Sequence, residues 1–260
     1  MSDPSVVPSS VVSRLRAAGC VFAEEEARLL HAAAAGPAQL DAMIERRASG
    51  LPLEHVVGRA EFAGLRVEVD PGVFVPRRRT EFLIGRAVAL ARPGAVCVDL
   101  CCGTGAAAAV LLDAVPSAEV HASDIDPAAV RCARRNVVPR GGAVHEGDLF
   151  AALPDGLRGR VDVLVANVPY VPSAEVALLP AEAREHEPLA ALDGGADGLD
   201  VLRRVAADAR GWLAPGGRLL VETSERQAER AVAVVTAHGL PAEVLRDPEW
   251  YATVLVARRG

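Results

Sequence analysis

The sequence predicts an α/β fold: a mostly parallel sheet with helices on its faces, behind a small helical module. Three observations predict it. From about residue 80 onward, short apolar runs alternate with stretches of helical length, as in strand–helix units with right-handed crossovers. Before residue 55, apolar residues recur at helical intervals among Ala, Arg and Glu. The composition, 51% hydrophobic and 24% charged over 260 residues, supplies a core and excludes a disordered chain.

Taken in order, residues 1–55 read as about three short helices. Leu15, Leu29, Leu30, Leu40, Met43 and Ile44 supply the apolar faces, and Gly19 and Gly36-Pro37 supply the breaks. Residues 56–79 read as a β-hairpin linker, because apolar and polar residues alternate around Gly58 and Gly64. Residues 80–260 form the α/β domain. AVCVDL (95–100) is a buried strand, followed by Gly103-Thr104-Gly105 and an Ala-rich helix. AEVHASDI (118–125) is a second strand, and Asp126-Pro127 opens a helix with a cap and a first-turn proline. VHEGDLF (144–150) and VDVLVANV (161–168) are the third and fourth strands. A helix follows from about 199 to 212, GRLLVET (217–223) is the fifth strand, and Ser224 caps the next helix. AEVLRD and YATVLVARR close the chain as an antiparallel pair at one edge.

Composition narrows the chemistry. All 28 basic residues are Arg, which excludes Schiff-base catalysis and lysine-dependent phosphate loops. A net charge of -6 argues against a nucleic-acid-coating surface. Cys20, Cys97, Cys101, Cys102 and Cys132 have irregular spacing and no histidine cluster beside them, so no metal site is expected and the thiols read as reduced. No apolar run approaches the roughly 18 residues that span a membrane. The N-terminus lacks a signal-peptide pattern, so the expectation is a cytoplasmic protein; the sequence carries no oligomeric signal, and monomer is the default expectation.

The segment Asp99-Leu100-Cys101-Cys102-Gly103-Thr104-Gly105 lies where a strand turns into a helix. Glycines there let backbone approach a ligand, and the helix start offers free N–H groups. Gly103, Gly105 and Ala108 even fit the dinucleotide pattern G-x-G-x-x-A; a tight turn with no ligand is the plainer reading. Asp124, 25 residues after Asp99, is placed to accept two ribose hydroxyls. Asp99 directly before the loop, to hold it or a cationic amino-acid group, and Asp148 after the third strand, to meet an adenine amino group, favour S-adenosylmethionine over a nicotinamide cofactor.

The fourth strand ends in Asn167-Val168-Pro169-Tyr170, and ligands of open α/β sheets bind outside such carboxyl ends. An amide nitrogen is a poor nucleophile. The Asn167 side-chain oxygen and the Val168 carbonyl, held extended by Pro169, can accept its two hydrogens and favour the charge developing on it. Tyr170 can pack against a planar substrate. Without the glycine loop, an Asx-type turn with Tyr170 as rim packing would suffice.

These motifs together resemble the protein-(glutamine-N5) methyltransferases, typified by the release-factor glutamine methyltransferases. RRASGLPLEHVVGRAEF, DPGVFVPRRRTEFLI, NVPY and HEPLAALDGGADGLDVLRR (186–204) carry the resemblance. It implies a seven-stranded class I S-adenosylmethionine-dependent sheet behind a helical substrate-recognition domain. It implies cofactor contacts from Asp99, Cys101, Cys102, Gly103, Thr104, Gly105, Asp124, Asp148, Leu149 and Asn167. It implies catalysis at Asn167, Val168, Pro169 and Tyr170 on a glutamine of a protein, a release factor or another. Cys101 stands where the family has its first loop glycine, Val168 where it has proline, and Arg where it often has Pro and an acid within 77–79. The chain reads as a divergent subgroup.

Two other functions use the same residues: N6-adenine methylation of nucleic acid, and cofactor binding without turnover. Arg77, Arg78 and Arg79 read either as a solvated rim or as contacts to a partner. Cys101 and Cys102 read as packing thiols, Glu81 as a helix-start acid, His186 as structural, and Trp212 and Trp250 as core or sheet-edge packing.

Overall fold

The computed structural model describes residues 9–260. The extreme N-terminus, on which the signal-peptide reading rests, lies outside these. Helices α1 (Ser9–Ala17), α2 (Ala23–Ala33), α3 (Pro37–Ala48) and α4 (Leu53–Val57) come first. They share a core that includes Leu15, Ala27, Leu30 and Ile44. The short α4 occupies residues expected to start the hairpin. The hairpin itself is β1 (Arg59–Phe62) and β2 (Leu65–Glu68), joined by Ala63 and Gly64 at φ 48° and 78°. Two positive φ values in a two-residue loop match the right-handed twist of the strands.

The rest of the chain runs α5 (Thr80–Leu90), β3 (Val96–Leu100), α6 (Ala106–Ala114), β4 (Glu119–Asp124), α7 (Pro127–Val137), β5 (Ala143–Glu146), β6 (Val161–Ala166), α8 (Ala181–His186), α9 (Asp200–Trp212), β7 (Leu213–Glu222), α10 (Ala228–Ala237), β8 (Ala242–Asp247) and β9 (Ala252–Arg258). The seven strands are ordered β5-β4-β3-β6-β7-β9-β8. Strands β3 to β7 pair in parallel, and β9 is antiparallel to both β7 and β8. Alternate strand residues serve two cores. Val163, Val165 and Leu220 pack with Leu83, Ile84, Ala108 and Leu111. Val98, Leu100 and Leu164 pack with Leu202, Val205, Ala206 and Ala231. Burial on both faces explains the near-continuous apolar strands.

Three elements differ from the sequence pattern. The third strand stops at Glu146, because Gly147 takes φ 149° and a 3₁₀ turn occupies Leu149–Ala152. The fifth strand starts earlier, at Leu213, and its pairing with β6 shifts register between Val161 and Val163. Ser224 does not cap the helix: a 3₁₀ turn (Glu225–Gln227) intervenes, and its hydroxyl donates to Gln227 Oε1 at 2.5 Å. Asp126 does cap, accepting from the Ala128 N–H at 2.8 Å.

The turn after β3 is built tightly. Cys101, Gly103 and Gly105 all have positive φ, at 55°, 53° and 72°. A Cβ on Gly105 would lie 2.8 Å from Val137 Cγ2 and 3.0 Å from Ala133 Cβ, so this glycine lets α6 and α7 approach. Buried Asn136 donates to the carbonyls of Thr104 and Glu68, both at 2.9 Å, and ties the loop to the hairpin. Asp99 accepts from the Ala108 N–H at 3.2 Å. Among the described residues no helix is long and apolar enough to cross a membrane.

Three stability predictions rest on this turn. Gly105→Ala should cost about 1–3 kcal/mol in urea unfolding through overpacking, whereas Cys101→Gly should be neutral or stabilising by up to about 1 kcal/mol because the left-handed conformation penalises a side chain. Burial pushes the Asp99 carboxyl up to about 7, against the Ala108 N–H and with help from the Asp124 charge. The folded state thus holds a proton that the unfolded chain loses near 3.8, so this contribution favours the fold at low pH and is lost as pH rises towards about 7. The Tm of Asp99→Asn relative to the parent should climb between about pH 4 and 7 and then level off; a pH-independent difference would contradict this.

Candidate active site

Strand order reverses between β3 and β6, the switch point where open sheets bind ligands. Leu100 pairs with Ala166 there, so the glycine loop and Asn167 leave adjacent strand ends. A cavity of about 1120 Å³ opens at this place. Its wall includes Asp99, Cys101, Cys102, Gly103, Thr104 and Asp124 from the first half, and Asn167, Val168, Pro169 and Tyr170 from the fourth strand. The structure therefore brings most of the expected residues to one surface.

Three expected residues are not on this wall. Gly105 faces α7, as described above. Asp148 is held by Arg204 Nη2 at 2.5 Å, and Leu149, at φ 49°, packs partly against the second core. Residue Asp148 sits past the early end of β5, where the chain has already turned.

The loop side is acidic. Asp124 Oδ2 accepts from the Gly103 N–H at 2.8 Å and Oδ1 from the Asp126 N–H at 2.9 Å, leaving lone pairs on both oxygens. Burial pushes its carboxyl upward, and these N–H groups oppose that. Burial also pushes the Cys101 and Cys102 thiols up, with nearby carboxylates adding to the effect, so both are neutral and unreactive near pH 7. Among the described residues no cluster of His, Cys, Asp or Glu has the makeup of a metal site.

Asn167 is half-buried on the wall, and its carboxamide makes no hydrogen bond to any of the described residues. The segment behind it is tightly held. Tyr170 OH accepts from Arg79 Nη2 at 2.8 Å and donates to Glu222 Oε1 at 3.1 Å. The Tyr170 carbonyl accepts from Gln227 Nε2 at 2.9 Å, and the Val171 N–H reaches the Leu192 carbonyl at 3.0 Å. The long glycine-rich match (186–204) explains itself here. A Cβ on Gly194 would lie 2.6 Å from the Pro169 carbonyl, and one on Gly198 2.3 Å from that of Tyr170.

The three arginines are partnered, although Arg78 and Arg79 are exposed as on a rim and only Arg77 is half-buried. Arg77 Nη2 contacts both oxygens of Glu187, at 2.6 and 2.5 Å, and Glu187 also accepts from the Val75 N–H. Arg78 lies over the Trp250 ring at 5.8 Å, and Arg79 Nε reaches Glu222 at 2.9 Å. Each thus holds a different segment of the cavity border. Sequence reasoning passed over Glu187, Glu222 and Gln227. Glu222 carried a signal, as a lone acid ending an apolar strand run; Glu187 was overshadowed by its neighbour His186.

Comparison with known proteins agrees with this geometry. Residues 64–183 match the family described as "Methyltransferase small domain". The chain is 39% identical to a release factor glutamine methyltransferase of Streptomyces coelicolor over 82% of this chain and 81% of the relative. It is 43% identical to the one of Mycolicibacterium smegmatis, over 78% and 72%. A methyltransferase structure from Pyrococcus furiosus superposes with a TM-score of 0.58 at 17% identity, covering 76% of this chain and 90% of the other, a likeness of fold. The chain is a methyltransferase and belongs to the release factor glutamine methyltransferase family.

Proposed function

We propose that this site transfers a methyl group from S-adenosylmethionine to the side-chain amide nitrogen (N5) of a glutamine in a protein, namely a peptide chain release factor. The observation that carries the reading is Asn167, a carboxamide on the cavity wall with no partner among the described residues, one strand away from the glycine loop. The family relationship supports the acceptor, since the relatives at 39% and 43% identity bear that name.

The wall suits the cofactor by its donor set. Asp99, whose buried carboxyl is pushed up to about 7, ionises when a cation lies beside it, and Asp124 keeps free lone pairs for two ribose hydroxyls. Gly103 and Thr104 allow close backbone approach, and Ile125, 60% exposed beside Asp124, offers apolar contact for a base. Asp148 would have to leave Arg204 to take part. When bound, the cofactor supplies an electrophilic methyl group.

The chain's own residues do the rest. Asn167 Oδ1 accepts one amide hydrogen of the substrate and the Val168 carbonyl accepts the other. Both are acceptors, so they favour positive charge developing on the nitrogen and set its orientation. Asn167 and Val168 thus distinguish a carboxamide NH₂ from a carboxylate, which has no hydrogens to offer. Tyr170 and the apolar border, including Pro188 and Leu192, exclude water around a planar group.

Asn167→Ala should lower kcat on a release factor roughly 100- to 1000-fold, the scale for losing one transition-state contact. Its affinity for S-adenosylhomocysteine, by calorimetry, should stay within about threefold, because binding rests on the loop side. Full retained turnover would refute the role. Labelled methyl transfer to a lysate should be protease-sensitive and nuclease-resistant; label lost to nuclease would instead favour the adenine reading, and no cofactor binding at all would end both.

A further inference from the structure

Glu222 is a buried acid at the carboxyl end of β7, with its side chain 1% exposed. A buried carboxylate persists only when donors surround it. Here there are three: Arg79 Nε at 2.9 Å, Thr80 Oγ1 at 2.6 Å and Tyr170 OH at 3.1 Å. Arg79 also donates to the same phenol at 2.8 Å. The three side chains close a triangle in which the Tyr170 oxygen gives one hydrogen bond and receives one. The ring can neither swing nor slide without breaking a charge-assisted contact.

This matters for the acceptor segment. Between Asn167 and Tyr170 only Pro169 has a fixed φ. Asn167 and Val168 are the groups that must be placed, and they lie two or three residues from the phenol. Gln227 grips the Tyr170 carbonyl at 2.9 Å, so the residue is held at both ends, by its phenol and by its backbone. Arg79 comes from the segment that leaves the hairpin, just ahead of α5, and so joins that segment to the acceptor side of the cavity.

We propose that Arg79 and Glu222 are positioning residues for methyl transfer: their ion pair fixes Tyr170 and, through it, the Asn167–Val168 acceptor pair. The inference rests on the acceptor role assigned above. Glu222 does not line the cavity and Arg79 borders it; the role assigned to both acts through Tyr170. Arg79→Met would leave Glu222 with two neutral donors and the phenol without its cationic donor. Arg79→Lys would keep the charge but lose the planar fork that spans both Glu222 and Tyr170.

The test uses the full chain with Arg79→Met, Arg79→Lys, Tyr170→Phe and the double variant Arg79→Met/Tyr170→Phe. Amide hydrogen exchange at Val168, Tyr170 and Val171 reads the restraint without turnover. It should speed up about tenfold in Arg79→Met, the mark of a looser local structure. With a release factor as substrate, kcat should fall roughly 10- to 100-fold, the scale for misplacing a contact by about an ångström, while S-adenosylhomocysteine affinity stays within about twofold. Arg79→Lys should recover part of the loss. The double variant should be no worse than the poorer single, because both remove one restraint; losses that multiply would mean that the two side chains act independently and would overturn the shared role. If Arg79→Met fails to fold, Tyr170→Phe and Arg79→Lys carry the same exchange and kcat comparison. Absence of methyl transfer in the parent protein overturns the reading of the site, and the positioning role with it. Methyl transfer in the parent with unchanged exchange and kcat in the variants overturns the positioning role alone.

Discussion

The ladder between β3 and β6 is the constraint on which the site depends. These strands are distant in sequence, yet Cys97 to Leu100 pair with Val163 to Ala166. Right-handed crossovers carry the chain away on either side, which leaves a crevice at the carboxyl ends of this junction. A glycine loop leaves one strand end and Asn167 leaves the other. Everything chemical about the chain follows from their adjacency. The loop side carries carboxylates suited to a cationic cofactor, and the other side carries acceptors suited to an amide NH₂.

Two of the chain's departures from the family pattern, Cys101 and Val168, are absorbed in different ways. Cys101 takes a left-handed backbone at φ 55°, a conformation usually left to glycine. Its side chain packs partly against the second core while also bordering the cavity. The turn therefore keeps its path at the cost of some strain. Val168 is buried, at 2% exposure, and replacing proline by valine leaves the backbone carbonyl proposed to accept from the amide. What it lacks is a ring to fix φ. Contacts from Arg79, Glu222, Gln227 and the close-packed Gly194 and Gly198 hold the segment from outside.

Much of this was legible in the residues, for physical reasons. Strands buried on both faces must be almost wholly apolar, so β3, β6 and β9 stood out. The loop and the Asn167–Tyr170 segment stood out because their backbone needs are unusual. Less legible was whatever depends on partners far along the chain. Asp148 looked free until Arg204, a helix away, was found to hold it. Arg77 to Arg79 looked like a charged surface run, and their partners Glu187, Trp250 and Glu222 lie more than a hundred residues on. The early start of β7 was hidden because Pro215 and Gly216 read as loop, and the register shift against β6 accommodates them. Ser224 had the right identity for a cap, but Gln227 competes for its hydroxyl.

The central claim is that a carboxamide is held at the tip of β6 facing the cofactor's methyl-bearing sulfur. A crystal structure with S-adenosylhomocysteine and a glutamine-containing release-factor peptide tests it most directly. The account predicts the ribose hydroxyls on Asp124, the thioether sulfur directed at the glutamine nitrogen, and that nitrogen within hydrogen-bond distance of Asn167 Oδ1 and the Val168 carbonyl. A sulfur directed elsewhere, or a glutamine bound away from Asn167, would contradict it.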